Sequence, residues 1–97
     1  MIATIEYIER KFNEFNALIF SGALAPLPIR LSSARTLLGQ LRYKRRRKLW
    51  GGWKYEDFQL VITRRRDMPE TLLEDTIIHE MIHYHILSNN LKDTSAH

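Results

Sequence analysis

Residues 76–83 of the chain read TIIHEMIH. In an α-helix, His79 and His83 differ by about 40° around the axis, because each residue adds about 100°. Both imidazoles can therefore reach one metal ion, and Glu80 can address a water molecule on that ion. Zn²⁺ would lower the pKa of this water to about 7 and polarise a scissile carbonyl group. Glu80 would take the proton of the water and deliver it to the leaving amine.

The third ligand of such a site has to come from elsewhere, because a catalytic zinc ion usually has three protein ligands. The chain has no cysteine, so the ligand must be an imidazole or a carboxylate. Asp93 and His97 follow the motif, and His97 is the better candidate. His85 lies about 200° from His83 around the helix and is predicted to be a surface or packing residue. The alternative to a metal site is an amphipathic helix that displays two histidines.

The segments before the motif predict an α+β fold. Apolar residues at steps of three and four predict a helix over residues 4–20. Strands are predicted at residues 29–33, 37–48 and 58–63, and the last of these alternates between apolar and polar residues. The order of a helix, three strands and a helix predicts a mainly antiparallel three-stranded sheet with a helix behind it.

The second helix is predicted to follow Asp67, which can act as its N-cap with Pro69 in the first turn. It should end at Ile86 or Leu87. Its apolar side is expected to pack across the sheet through Leu73, Ile77 and Met81.

The sequence Leu49-Trp50-Gly51-Gly52-Trp53 predicts a β-hairpin. Two glycines suit a two-residue turn that needs positive φ angles, and Trp50 and Trp53 could then pair across the strands. The same tryptophans could instead stack on unpaired bases of a nucleic acid.

Positive charge is concentrated in the middle of the chain. Ten of the fifteen Lys and Arg residues lie within residues 42–66, where only Glu56 and Asp57 oppose them. Such asymmetry indicates a polyanionic partner. Six of these bases precede the hairpin turn and are predicted to bind DNA or RNA in a salt-sensitive manner: Arg42, Lys44, Arg45, Arg46, Arg47 and Lys48. The structural alternative is that they prevent pairing between sheet edges. Arg64, Arg65 and Arg66 could contact the same polyanionic partner, or equally well form the solvated end of a strand.

These residues together resemble the SprT-like zinc metallopeptidases. The resemblance rests on residues 7–20, on residues 29–32, on residues 39–43 with the Gly51-Gly52 turn, on the histidine motif and on residues 92–97. It covers nearly the whole chain and implies a zincin-like fold around an active-site helix with an HExxH motif.

The resemblance also implies roles for single residues. His79 and His83 would bind Zn²⁺, Glu80 would be the general base, and His97 would be the third ligand. In the family a glycine and a helix follow that histidine, whereas this chain ends at His97. We therefore expect residues 1–97 to form one domain that lacks its C-terminal helix, as the N-terminal part of a longer protein or a shortened form of it.

The sequence thus predicts a zinc-dependent endopeptidase that acts on proteins associated with DNA. The resemblance implies a setting in the repair of DNA–protein crosslinks. The expected partners are a protein or peptide substrate and a nucleic acid, with DNA favoured. The lack of a signal peptide or an apolar stretch long enough for a membrane span predicts a cytoplasmic protein, with a location at the nucleoid as an option. The alternative function is a non-catalytic nucleic-acid-binding module with a vestigial or incomplete metal site. The sequence does not predict an oligomeric state.

Overall fold

The computed structural model describes residues 2–33, 37–64 and 68–89. The elements in chain order are α1 (Ile5–Phe20), β1 (Ile29–Ser32), β2 (Gly39–Arg47), β3 (Trp53–Thr63) and α2 (Glu70–Ser88). This order confirms the predicted α+β fold. The predictions for Arg65, Arg66, Asp67, Asp93 and His97 concern residues outside the described ranges.

The three strands form one sheet in which β3 is central. The strand order is β1-β3-β2, with β1 parallel to β3 and β2 antiparallel to it. The prediction of a mainly antiparallel sheet is therefore confirmed, with one parallel pair. The parallel pair is possible because residues 33–52, which include all of β2, separate β1 from β3 along the chain.

Both helices pack on the same face of the sheet. Helix α1 contacts β1 and α2, and α2 contacts β2 and β3. The predicted apolar side of α2 is confirmed, because Leu73, Ile77 and Met81 are at most 1% exposed. These side chains belong to one core with Leu60 and Ile62 of β3. The sheet therefore holds α2 at a fixed rotation about its axis, which determines the direction of its other side chains.

Helix α1 begins where the sequence places it. The backbone N–H of Tyr7 donates a hydrogen bond to Oγ1 of Thr4 at 3.1 Å, so Thr4 is the N-cap. Ile8, Phe12 and Phe15 are buried along one side. Ile19 continues the three- and four-residue spacing of these apolar residues, but it lies in the last turn of the helix and is 51% exposed.

One side-chain hydrogen bond joins the two helices. The hydroxyl of Tyr7 donates to Oε1 of Glu70 at 3.0 Å, at the first residue of α2. Burial and this hydrogen bond raise the pKa of Tyr7 to about 12. Pro69 takes the N-cap position of α2 instead of lying in its first turn as predicted. The N-cap therefore lies two residues after Asp67, the predicted N-cap, and a shift of one or two residues at a helix end is common.

The predicted two-residue turn at Gly51-Gly52 is wrong. Residues 48–52 connect β2 and β3, and the backbone N–H of Lys48 donates to the carbonyl oxygen of Gly52 at 3.0 Å. Trp53 pairs with Arg47, so the expected pairing of Trp53 with Trp50 does not occur. Both glycines do adopt positive φ angles, 96° at Gly51 and 81° at Gly52.

The hairpin also contains a β-bulge. Arg42 pairs with Gln59 but Lys44 pairs with Glu56, so β3 has one extra residue between these two pairs. Asp57 lies in this interval with a φ of 56°, a left-handed conformation that aspartate tolerates. Strand β3 starts at Trp53, five residues before the predicted start at Phe58.

Within the described ranges, no helix is long and apolar enough to cross a membrane.

Candidate metal centre and catalytic groups

Helix α2 brings His79 and His83 together, as their spacing predicts. Their Nε2 atoms are 3.1 Å apart, and the two ring planes are inclined by 80°. His83 is 3% exposed, whereas His79 is exposed to solvent. The pair therefore lies at the boundary between the core and the surface, with the ring of His83 buried and the ring of His79 exposed to solvent.

The separation of the two nitrogens fits a shared zinc ion. Two imidazole nitrogens on a tetrahedral Zn²⁺ at about 2.0–2.1 Å lie about 3.3 Å from each other. The observed 3.1 Å is close to this value. The same distance also suits a hydrogen bond from one ring to the other. The donor set itself, two imidazoles, is typical of zinc.

Glu80 lies in the cleft that His79 also lines. Its side chain is 2% exposed, and the cleft has a volume of about 500 Å³. The cleft is lined by the start of β2 with its preceding residues and by one side of α2: Leu37, Leu38, Gly39, Asp75, Thr76, His79 and Glu80. A carboxylate and an imidazole therefore face one space that is large enough for a peptide group.

Gly39 allows β2 to approach α2 at this cleft. A Cβ atom on residue 39 would lie 2.7 Å from Cγ2 of Thr76 and 3.1 Å from Cδ1 of Ile62. A side chain at residue 39 would therefore require either the strand or the side chains of Thr76 and Ile62 to shift, one turn before Glu80. The sequence analysis assigned no role to Gly39, although a glycine inside a predicted strand is a signal of close backbone approach.

A second concavity adjoins His83. Its volume is about 460 Å³, and Leu41, Tyr43 and Leu87 are among its lining residues. Gly39 lines both this concavity and the first cleft. The outer edge of β2 therefore runs past both histidines, with an apolar depression on the His83 side.

The sequence profile of the SprT-like family matches residues 8–97 of the chain. The chain belongs to the SprT-like family. Searches of curated proteins and of solved structures gave no match.

The ligand set of this SprT-like chain is incomplete within the described residues. There, no group of three His, Cys, Asp or Glu side chains is placed to hold a metal ion. His97, the predicted third ligand, lies outside those ranges. Its role therefore stays a prediction, and so do the metal-binding roles of His79 and His83, although the helix does bring these two side chains together.

His85 is a packing residue, as predicted. Its ring lies against that of Phe20, with 5.4 Å between the centroids, and Asn89 donates a hydrogen bond to its carbonyl oxygen at 2.8 Å. The contact with Phe20 joins the C-terminal ends of the two helices, and the hydrogen bond from Asn89 closes the end of α2. The SprT-like chain thus uses two of its four histidines at the candidate metal centre and one in packing.

The predicted nucleic-acid residues lie on β2, on the loop that follows it and at the first residue of β3. All of them are exposed: Arg42, Lys44, Arg45, Arg46, Arg47, Lys48, Trp50 and Trp53. The guanidinium of Arg45 stacks on the ring of Trp53 at 4.7 Å from its centroid. Trp50 is 95% exposed at the tip, so the two tryptophans of the SprT-like hairpin have different environments. We call these residues of β2, the loop and the start of β3 the basic hairpin; it begins beside the candidate metal centre, because Tyr43 lines the concavity at His83.

Proposed function

We propose that this SprT-like domain is a zinc-dependent endopeptidase that acts on proteins associated with DNA. The observation that carries the proposal is the distance of 3.1 Å between Nε2 of His79 and Nε2 of His83, beside a cleft that Glu80 lines. A bound Zn²⁺ would act as a Lewis acid that activates water and polarises the scissile carbonyl group.

In this proposal His79 and His83 hold the metal through Nε2, with His97 as the third ligand. Glu80 is the general base: its carboxylate accepts a proton from the attacking water and then gives it to the leaving amine. The burial of Glu80 supports this role, because a carboxylate at 2% exposure keeps its orientation within the cleft.

The outer edge of β2 is suited to hold the substrate as an extended strand. The backbone N–H of Thr63 donates to the carbonyl oxygen of Leu38 at 2.9 Å. Because inward and outward groups alternate along an antiparallel strand, the backbone groups of Gly39 and Leu41 face away from β3. A peptide that pairs with them would pass both His79 and His83. An apolar side chain of that peptide would fit the concavity at Leu41 and Leu87.

The basic hairpin supports the second half of the proposal. Its exposed Lys and Arg side chains would contact a nucleic acid and hold the domain near proteins bound to it. This combination of activities suits the repair of DNA–protein crosslinks at the nucleoid, in the cytoplasm.

A non-catalytic nucleic-acid-binding module is the second candidate. It is favoured by the exposed basic hairpin, whose Lys and Arg side chains suit a polyanion without any metal chemistry. The two functions differ in metal content. The peptidase requires near-stoichiometric zinc that is lost in His79→Ala, as measured by plasma mass spectrometry after dialysis. A fully folded, metal-free protein would favour the module. Because His97 is the last residue of the chain, the same measurement on a chain extended past it tests the third ligand.

A further inference from the structure

The face of the sheet opposite the helices carries mainly polar and basic side chains. Residues that pair across strands point to the same face, and Arg30 pairs with Val61, which pairs with Gln40. Arg42 pairs with Gln59, two residues before Val61, and therefore shares that face. We call Arg30, Gln40, Arg42, Gln59 and Val61 the outer sheet face. Leu60 and Ile62 point the other way, into the core.

Two shallow concavities lie on the outer sheet face, and the same two arginines line both of them. Their volumes are about 400 and 310 Å³, and Arg30 and Arg42 belong to each. Both side chains are exposed, and within the described part of the chain neither takes part in an ion pair. Gln40 and Gln59 are half-buried beside them and carry amide donors. The face therefore presents two guanidinium groups and two amide groups to a common ligand.

The positive charge of this face continues along β2. Lys44 and Arg46 follow Arg42 at every second position of β2. All three side chains therefore point to the same side of the strand, at steps of about 6.8 Å. Lys44 lies 3.9 Å from Asp57 and Arg46 lies 3.8 Å from Glu56. These ion pairs are exposed and weak, so a phosphate can replace the carboxylate partner. A row of regularly spaced cations suits a polymer of phosphodiesters better than a single small anion.

We propose that the outer sheet face binds the sugar-phosphate backbone of a nucleic-acid strand, with Arg30 and Arg42 as its main phosphate contacts. This inference rests on the nucleic-acid contact in the proposed function and deepens it. It assigns the contact to one face of the hairpin and extends it onto β1 through Arg30. The strand would run on the side of the sheet opposite the helices, so it would leave the cleft at His79 and Glu80 open for a protein substrate.

The test measures the binding of a short, fluorescein-labelled single-stranded DNA by fluorescence anisotropy over a range of salt concentrations. For Arg30→Gln we expect the slope of log K against log salt to decrease in magnitude by about 0.7, the contribution of one phosphate contact. Arg42→Gln should have the same effect, and Arg30→Lys should preserve the slope. Arg10→Gln is the matched control, because it removes the same charge from an exposed site on α1.

Two results would overturn the inference. One is a slope of log K against log salt for Arg30→Gln that equals the slope for Arg10→Gln. The other is displacement of the DNA by inorganic phosphate at concentrations far below those of the competing salt, measured at constant ionic strength. Such displacement would identify a site for small anions. Circular dichroism of each variant confirms that the fold is retained. A failure of the wild-type chain to bind any DNA would contradict the nucleic-acid part of the proposed function as well, whereas normal binding by Arg30→Gln contradicts this inference alone.

Discussion

Gly39 in β2 and Thr76 in α2 approach so closely that a Cβ atom on residue 39 would lie 2.7 Å from Cγ2 of Thr76. We predict that Gly39→Ala lowers the free energy of unfolding by about 1–3 kcal/mol, because the extra methyl group overpacks this contact. Urea denaturation measures the change.

Thr76→Ser provides the control for this prediction. It removes the Cγ2 atom but retains a hydroxyl that can donate to the carbonyl oxygen of Leu72, as Thr76 does at 2.8 Å. The double variant Gly39→Ala with Thr76→Ser should therefore recover much of the stability. Additive effects of the two substitutions would show that this contact is not the cause.

Glu80→Gln should retain the metal and lose peptidase activity. Glutamine has nearly the shape of glutamate, so the cleft and the histidine pair stay in place, but its amide is a poor base for the proton of water. A fall in the rate of cleavage by at least about 10²-fold is expected, measured on a denatured protein substrate.

Asp75→Asn is the matched variant for that experiment, because Asp75 lines the same cleft and lies outside the histidine motif. It should keep its activity. Unchanged cleavage by Glu80→Gln, with zinc still bound, would refute the assigned role of the general base.

The hydrogen bond from Tyr7 to Glu70 predicts a loss of stability in alkali. The pKa of Tyr7 is raised to about 12 from the ordinary 10 by burial first and by Glu70 second. The folded state therefore holds this proton more tightly than the unfolded state. The resulting stabilisation is complete below pH 10 and is lost as the pH rises to about 12.

Tyr7→Phe should reduce this dependence, because phenylalanine does not ionise. The measurement is the difference in free energy of unfolding between wild type and variant at several pH values between 9 and 12. The difference should shrink as the pH rises. Burial also raises the pKa of Tyr84, so a smaller alkaline effect should persist in the variant.

Thr4→Ala should destabilise α1 by about 1 kcal/mol, since it removes the side-chain acceptor for the N–H of Tyr7. Chemical denaturation measures this loss. Thr71→Ala is a suitable comparison, because Thr71 is exposed in the first turn of α2 and does not occupy its N-cap position. An equal loss in both variants would contradict the capping role.

The two tryptophans should differ in their accessibility to acrylamide. Trp50 is 95% exposed, whereas Trp53 is 43% exposed and stacks with Arg45. Fluorescence of Trp53→Phe, which reports Trp50, should therefore be quenched more strongly than that of Trp50→Phe, which reports Trp53. Arg45→Gln in the Trp50→Phe background should increase the quenching of Trp53. Equal quenching in the two single variants would contradict the difference in exposure between Trp50 and Trp53.

Much of the fold follows from local patterns in the sequence. The periodicity of α1 and α2 and the alternation in residues 58–63 predict the elements and the side of α2 that packs on the sheet. The histidine pair was also predictable, because a spacing of four residues in a helix brings two side chains together whatever the surroundings. His97 stays untested by the described residues.

The hairpin turn could not be predicted in this way, because the core sets its register. Leu41 pairs with Leu60, and both are buried against the helices. This pairing and the bulge at Asp57 then bring Arg47 opposite Trp53 and leave a five-residue connection at residues 48–52. The local preference for a Gly-Gly turn gives way to this long-range packing.

The central place of β3 in the sheet determines when the sheet can form during synthesis. As a nascent chain leaves the ribosome, α1, β1 and β2 emerge first, yet both outer strands pair with β3. The first 52 residues therefore contain two strands and no partner for either among the described residues. The sheet can form only after Thr63 has emerged, and a nascent chain stalled before Trp53 exposes two unpaired strands to chaperones and proteases.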